Sequence, residues 1–160
     1  MTTILVRWLT RTALALVLAT ALLPSMAAAA DMAAGWEALE AKDYERAERI
    51  WLKDAERGDR NAAFGLGMVS DARRDAAGAA KWYERAARAG LPEAQVLIGQ
   101  RYAEGIGVPK NLVMAYAWFT RAMAARVPNA GKVRARLAKE MSPEAIKEAE
   151  SLAASLGAPN

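Results

Sequence analysis

The chain contains a pattern that repeats about every 32 residues. A glycine recurs at a fixed step, followed by an acidic or amide residue and then by an alanine. These positions are Gly35, Gly67 and Gly99; Asp43, Asp75 and Asn111; and Ala47, Ala79 and Ala115. The glycines are 32 residues apart, and the other two sets are 32 and then 36 residues apart. A fixed period of this length is typical of stacked-repeat arrays, in which each unit buries its apolar face only against its neighbours.

The second half of each unit has the apolar spacing of an amphipathic helix. The side chains that we expect in its core are Ala47, Ile50 and Trp51, then Ala79, Trp82 and Tyr83, then Ala115, Trp118 and Phe119. The Asp or Asn that precedes each set suits a helix N-cap. Gly58 and Gly90 stand where the first two of these helices should end. Earlier helices are predicted at 61–70 and 92–104, so each unit is a hairpin of a helix A and a helix B.

Gly67 and Gly99 fall inside predicted helices A, where glycine costs about 1 kcal/mol relative to alanine. Their recurrence indicates that helices A and B approach closely at these points. We expect a small alanine of helix B opposite each glycine, with a leucine or isoleucine filling the space beside it.

The third unit carries the most specific motif. Its residues are Ala94, Ile98-Gly99, Tyr102, Gly105-Ile106-Gly107-Val108, Asn111, Ala115, Trp118-Phe119 and Ala122. They resemble a Sel1-like repeat, a relative of the tetratricopeptide hairpin. The second unit fits the same pattern without the Gly-x-Gly-Val loop, and the first is a degenerate capping unit. The resemblance implies an α/α superhelix that binds proteins or peptides on its concave side, often in the bacterial envelope.

The predicted fold is therefore all-α, an α/α superhelical solenoid of antiparallel helix hairpins. The hairpins are expected at about 31–59, 60–91 and 92–127. Residues 128–160 break the period but stay helical, with Ser142-Pro143-Glu144 marking the start of a last helix. We expect this pair of helices to cap the last hairpin.

Residues 1–30 have the layout of a secretory signal peptide. Arg7 and Arg11 precede an apolar run at 13–23, and a tract of alanines follows. The run is shorter than the roughly 20 residues that a membrane span needs. We expect cleavage after Ala28 or Ala30, a periplasmic or secreted protein and no membrane span afterwards. An uncleaved anchor helix is the alternative.

Charge is unevenly distributed along the chain. The net charge of +4 falls to +2 without the signal, which holds two of the 22 basic residues and no acid. Residues 31–60 carry six basic and nine acidic groups, whereas 61–140 carry thirteen and six. This central basic zone either binds an anionic polymer or consists of solvated helix faces. The export signal and the absence of any nucleic-acid motif argue against nucleic-acid binding.

The residue inventory argues against an enzyme. The chain has no histidine and no cysteine, so the commonest general base, the thiol nucleophile and the soft metal ligands are missing. We therefore expect no catalytic residues, no cofactor and no bound metal.

A partner is expected on the side of helix A that faces away from helix B. Relative to each repeated glycine, this side holds the residues three before and one after it. The candidate partner-binding residues are Trp36, Asn61, Phe64, Met68, Val96, Gln100, Arg101 and Glu104. Aromatic, methionine and arginine side chains are the types enriched in interfaces. Whether Phe64 and Val96 are exposed or packed between repeats stays open.

The leading functional expectation is an exported adaptor, monomeric, that binds an unidentified envelope protein or peptide. An anionic envelope polymer bound by the central basic zone is the alternative, and an array that packs against its own copies is a third.

Overall fold

The computed structural model describes residues 29–156, so all of the predicted signal at 1–30 except Ala29 and Ala30 lies outside the described residues. Within this range all regular secondary structure is helical. The helices are α1 (29–40), α2 (Tyr44–Glu56), α3 (Arg60–Ala72), α4 (Ala76–Arg88), α5 (Pro92–Glu104), α6 (Leu112–Ala124), α7 (Ala130–Ala138) and α8 (Pro143–Ser155). The predicted all-α fold is confirmed.

Helix caps fix where the hairpins begin and end. The side chains of Asp43, Asp75 and Asn111 accept hydrogen bonds from the backbone of the first turn of α2, α4 and α6, as predicted. Gly58 and Gly90 adopt φ of +95° and +85° just after α2 and α4, a conformation that glycine tolerates best. The short connections therefore make consecutive helices antiparallel neighbours.

Helix α3 is longer than predicted. It begins at Arg60 because Asp59 caps it, and it continues through Ala72. The sequence prediction of 61–70 missed this cap because Asp59 directly follows the Gly58 stop signal.

The core runs along the contact between helices A and B. Trp51 of α2, Tyr83 of α4 and Trp118 of α6 are at most 2% exposed. Small side chains such as Ala47 and Ala79 are fully buried between them. Trp82 is only half-buried and packs at the edge of this core. Burial of each large side chain contributes about 1.5–3 kcal/mol to folding.

The repeated glycines face aromatic rings, so the expected facing alanines are wrong. A Cβ atom added to Gly67 would lie 2.5 Å from Tyr83 Cε1, and one added to Gly99 would lie 3.1 Å from Phe119 Cε2. Trp51 fills the same position against Gly35. The glycines thus provide space for the large rings of helix B at the same repeat position, and the alanines occupy the positions around them.

The first hairpin has a polar outer edge. Ala63 and Val69 of α3 are buried, but the residues 32 positions earlier, Asp31 and Glu37 of α1, are exposed. Terminal units of repeat arrays need such a polar face, because no further unit covers them.

Helices α7 and α8 both pack on α6. Ala149 and Ala153 of α8 are buried there, and Ser142 caps this helix as predicted. A step of 36 residues still pairs buried Ala94 of α5 with buried Ala130 of α7, but it also pairs buried Gly99 with exposed Ala135. Helix α7 therefore follows the pattern of helix A only in part.

Candidate protein-binding face

Six residues of α1, α3 and α5 occupy the two repeat positions at which a partner is expected, and they are named here the helix-A face. They are Met32, Trp36, Phe64, Met68, Val96 and Gln100. The five apolar residues among them pack against the edge of the core. These five are half-buried, whereas Gln100 is exposed. Each of these six side chains thus keeps part of its surface open to solvent.

Core aromatic side chains hold two members of the face in place. The ring of Trp36 packs edge-on against Trp51, with 5.0 Å between the ring centroids. Phe64 packs against Tyr83 at 5.6 Å and an interplanar angle of 51°. Each of these rings supplies apolar area in a fixed orientation, at low cost in side-chain entropy when a partner binds. Phe64 and Val96, whose exposure the sequence left open, are thus neither fully exposed nor fully packed between repeats.

Polar side chains lie at the two ends of the face. Asn61 is exposed in the first turn of α3, and Glu104 is exposed at the end of α5. Neither of these side chains takes part in a hydrogen bond or an ion pair within residues 29–156. Both are therefore open to contacts from outside the chain.

Arg101 belongs to the inside of the array. Its guanidinium lies 2.6 Å from both carboxylate oxygens of Asp71 on α3, and its Cζ lies 5.0 Å from the ring centroid of Tyr83. The Arg101 side chain is only 12% exposed. The Tyr83 hydroxyl donates to the same Asp71 carboxylate at 2.8 Å. These three residues form a polar cluster, named here the Asp71 cluster, that ties the second hairpin to the third.

Burial and the neighbouring carboxylate shift the titration of Tyr83. Burial first, and then the hydrogen bond to Asp71, raise the pKa of Tyr83 well above its usual value. Burial and the charge of Glu84 also raise the pKa of Tyr102, whose hydroxyl donates to Glu84 at 3.2 Å. Both tyrosines are therefore neutral hydrogen-bond donors at physiological pH, and their role is structural.

Helix α7 adds a group of basic residues that sequence reasoning did not place at the site. Lys132 and Arg136 of α7 and its C-cap residue Lys139 are exposed, and they follow the i, i+4, i+7 spacing of one helix side. We name these three residues the α7 basic stripe. The 36-residue step already visible between Asp75 and Asn111 could have located it.

Among residues 29–156, no group of three or more carboxylates is arranged to hold a metal ion. None of the described helices is both long enough and apolar enough to cross a membrane.

Residues 61–91 and 92–125 match the Sel1 repeat family. A Sel1 repeat protein from Oxalobacter formigenes is 33% identical; the match has a TM-score of 0.59 and covers 68% of this chain and 88% of that one. A protective antigen of uropathogenic Escherichia coli with an SLR fold is 28% identical, with a TM-score of 0.70 over 81% of this chain. This chain spans only 29% of the length of that antigen. No curated protein sequence matches the chain.

Proposed function

The chain belongs to the Sel1 repeat family, and on this premise we propose that it is an exported, non-catalytic adaptor. Proteins of this family generally mediate protein–protein interactions. The proposed partner is a protein or peptide of the cell envelope, and the proposed contact is the helix-A face.

One observation carries the proposal. At the same two repeat positions, three successive helices A present half-buried apolar side chains: Met32 and Trp36 on α1, Phe64 and Met68 on α3, and Val96 on α5. Solvated surface helices usually carry polar residues at positions that are partly open to water. A run of partly exposed apolar side chains across neighbouring elements is typical of an interaction site.

The test compares two matched variants in pull-downs from envelope extract. The first replaces one residue of each helix A: Trp36→Ala, Met68→Ala and Gln100→Ala. The control replaces one exposed residue of each helix B, with the substitutions Leu52→Ala, Lys81→Ala and Met123→Ala. We expect the first variant to lose partners that the control retains. Identical partner lists would refute the assignment of the face.

Because Trp36 packs on Trp51, loss of binding could follow from loss of folding. A double variant with Met68→Ala and Gln100→Ala leaves that aromatic pair intact and should still lose the partner. Thermal unfolding of each variant shows whether the array is intact.

Export is part of the proposal and rests on residues 1–30. Their basic start, short apolar run and alanine tract are typical of a cleaved secretory signal. N-terminal sequencing of the protein from the envelope fraction should find Ala29 or Asp31 first. An intact Met1 on membrane-bound protein would mean a tethered adaptor.

A second candidate function is binding to an anionic envelope polymer. The α7 basic stripe favours it, because Lys132, Arg136 and Lys139 share one exposed side of a helix. Binding to a polyanion should weaken steeply as salt rises. Binding through apolar contacts of the helix-A face should change little with salt, which distinguishes the two functions.

A further inference from the structure

We propose that the partner of the helix-A face carries acidic residues next to its apolar anchors, and that these acidic residues bind the α7 basic stripe. The inference rests on the proposed function and adds the chemistry of the partner. The occupant is a peptide segment with two adjacent parts, one apolar and one acidic.

Repeat register places the stripe in line with the face. A step of 36 residues leads from Val96 to Lys132 and from Gln100 to Arg136. The same step pairs the exposed Glu104 of α5 with the exposed Glu140 after α7. These two repeat positions therefore change from half-buried and apolar on α1 and α3 to exposed and basic on α7.

Packing connects the two ends of this surface. Val96 of α5 and Val133 of α7 pack against the same core cluster, which contains Tyr116 and Phe119 of α6. Arg134 lies over the Tyr116 ring at 5.4 Å and helps to fix α7 on α6. The basic stripe is thus held on the repeat array by its own helix.

The charges of the stripe have no ion-pair partner in the part of the chain that the structure describes. Residues 121–140 contain six basic residues and one acid, Glu140. None of the ion pairs among residues 29–156 includes Lys132, Arg136 or Lys139. Like charges on one helix side repel each other, so carboxylates from a partner would relieve this repulsion.

Acidic side chains at the ends of α1 and α5 determine in which orientation the partner binds. Glu40 is exposed at the end of α1, and Glu93 and Glu104 are exposed at the two ends of α5. They repel a carboxylate on these helices. At α7 the three basic residues outnumber Glu140, so the acidic part of the partner is favoured there rather than at the ends of α1 and α5. Its apolar part then lies over Trp36, Phe64 and Met68.

The test is a selection of peptides from a random 12-residue display library on the purified protein. Selected peptides are then measured by fluorescence polarisation against three variants. One removes the stripe (Lys132→Gln, Arg136→Gln, Lys139→Gln). The second is Met68→Ala with Gln100→Ala. A control makes the same change in charge on two helices B, at the exposed residues Arg49 and Lys53 of α2 and Lys81 of α4 (Arg49→Gln, Lys53→Gln, Lys81→Gln).

We expect the selected peptides to combine apolar residues with at least two acids. Loss of the stripe should weaken their binding about tenfold, because three exposed charge pairs are removed. Loss of Met68 and Gln100 should weaken it as well, and the control should not.

Each other result overturns the inference in a distinct way. Apolar peptides that need Met68 but not the stripe would leave the adaptor function standing and refute the acidic partner. Acidic peptides that need only the stripe would refute a shared site and favour the polymer-binding function. Failure to select any peptide would count against both proposals. Self-association in light scattering that disappears with the stripe would identify a second copy, whose acidic residues 31–60 fit the same charges, as the occupant.

Discussion

Gly67 of α3 lies directly against the ring of Tyr83 of α4. A Cβ atom at Gly67 would be 2.5 Å from Tyr83 Cε1, much closer than van der Waals contact. The ring has little freedom to move, because it is 2% exposed and its hydroxyl donates to Asp71. The glycine is therefore required by its aromatic neighbour, despite its poor helix propensity.

Gly67→Ala should destabilise the protein more than Gly99→Ala. Overpacking against a fixed ring typically costs about 1–3 kcal/mol. At Gly99 the added Cβ would lie 3.1 Å from Phe119 Cε2, so a small shift of that ring can relieve it. The higher helix propensity of alanine, up to about 1 kcal/mol, then offsets part of the cost. Urea unfolding measures the stability of each variant, and equal stability of Gly67→Ala and Gly99→Ala would contradict this account.

Arg101→Ala should lower stability by about 1–2 kcal/mol, because it removes a hydrogen-bonded ion pair and a stacked guanidinium from a mostly buried position. A lysine at 101 should recover little, since it cannot reproduce the planar contact with Tyr83. A double-mutant cycle with Asp71→Ala tests the pairing. If the two single changes add without coupling, the Asp71 cluster contributes nothing as a unit.

Sequence periodicity predicted the helices well because hydrophobic spacing and caps are local signals. Asp43 and Gly58 mark the ends of α2 in the sequence itself. The role of Arg101 was not visible, because its partner Asp71 lies 30 residues away on another helix. The sequence around an arginine looks the same whether its side chain is exposed or paired with a residue of another hairpin. Only the packed array distinguishes the two cases.

The prediction that an alanine lies opposite each glycine was wrong for a related reason. Spacing shows that helix A has a gap at Gly67, but the rotation of helix B decides whether an alanine or Tyr83 fills it. Likewise, Val96 is half-buried because α6 and the cap pack beside it, which the sequence of α5 alone does not determine.

Raising the pH should weaken the fold through Tyr83. Its folded-state pKa is raised by burial and by the hydrogen bond to Asp71, whereas the unfolded chain ionises at about pH 10. The stability that the neutral hydroxyl contributes is fully present below about pH 10 and is lost as pH rises above it. The comparison is urea unfolding of the parent and of Tyr83→Phe from neutral pH to about pH 11. The free energy of unfolding of the parent should fall relative to that of Tyr83→Phe above about pH 10. A difference between the two that stays constant with pH would argue against the raised pKa of Tyr83.

Gln95→Met should stabilise the protein by up to about 1 kcal/mol. Gln95 is 2% exposed, and its Oε1 has no hydrogen-bond partner among the described residues. Its amide donates only a long bond of 3.4 Å to the Ala87 carbonyl, which also accepts from Gly90 N at 3.0 Å. Methionine of similar size removes the unpaired acceptor and leaves that carbonyl satisfied. A lower denaturation midpoint for Gln95→Met would show that the amide is needed.

Gly107→Ala should be more harmful than Gly58→Ala, although both glycines have positive φ, +73° and +95°. At Gly58 no atom lies within 4 Å of an added Cβ, so only the backbone strain of about 1 kcal/mol remains. At Gly107 the Cβ would collide with the backbone carbonyl of Ala76 in the first turn of α4, which cannot move away as a flexible side chain would. The loop must then lift off the second hairpin and expose Val108, which packs against the core. Amide hydrogen exchange in the first turn of α4 should rise in Gly107→Ala and stay unchanged in Gly58→Ala; the same exchange in both variants would mean that this loop does not hold the hairpins together.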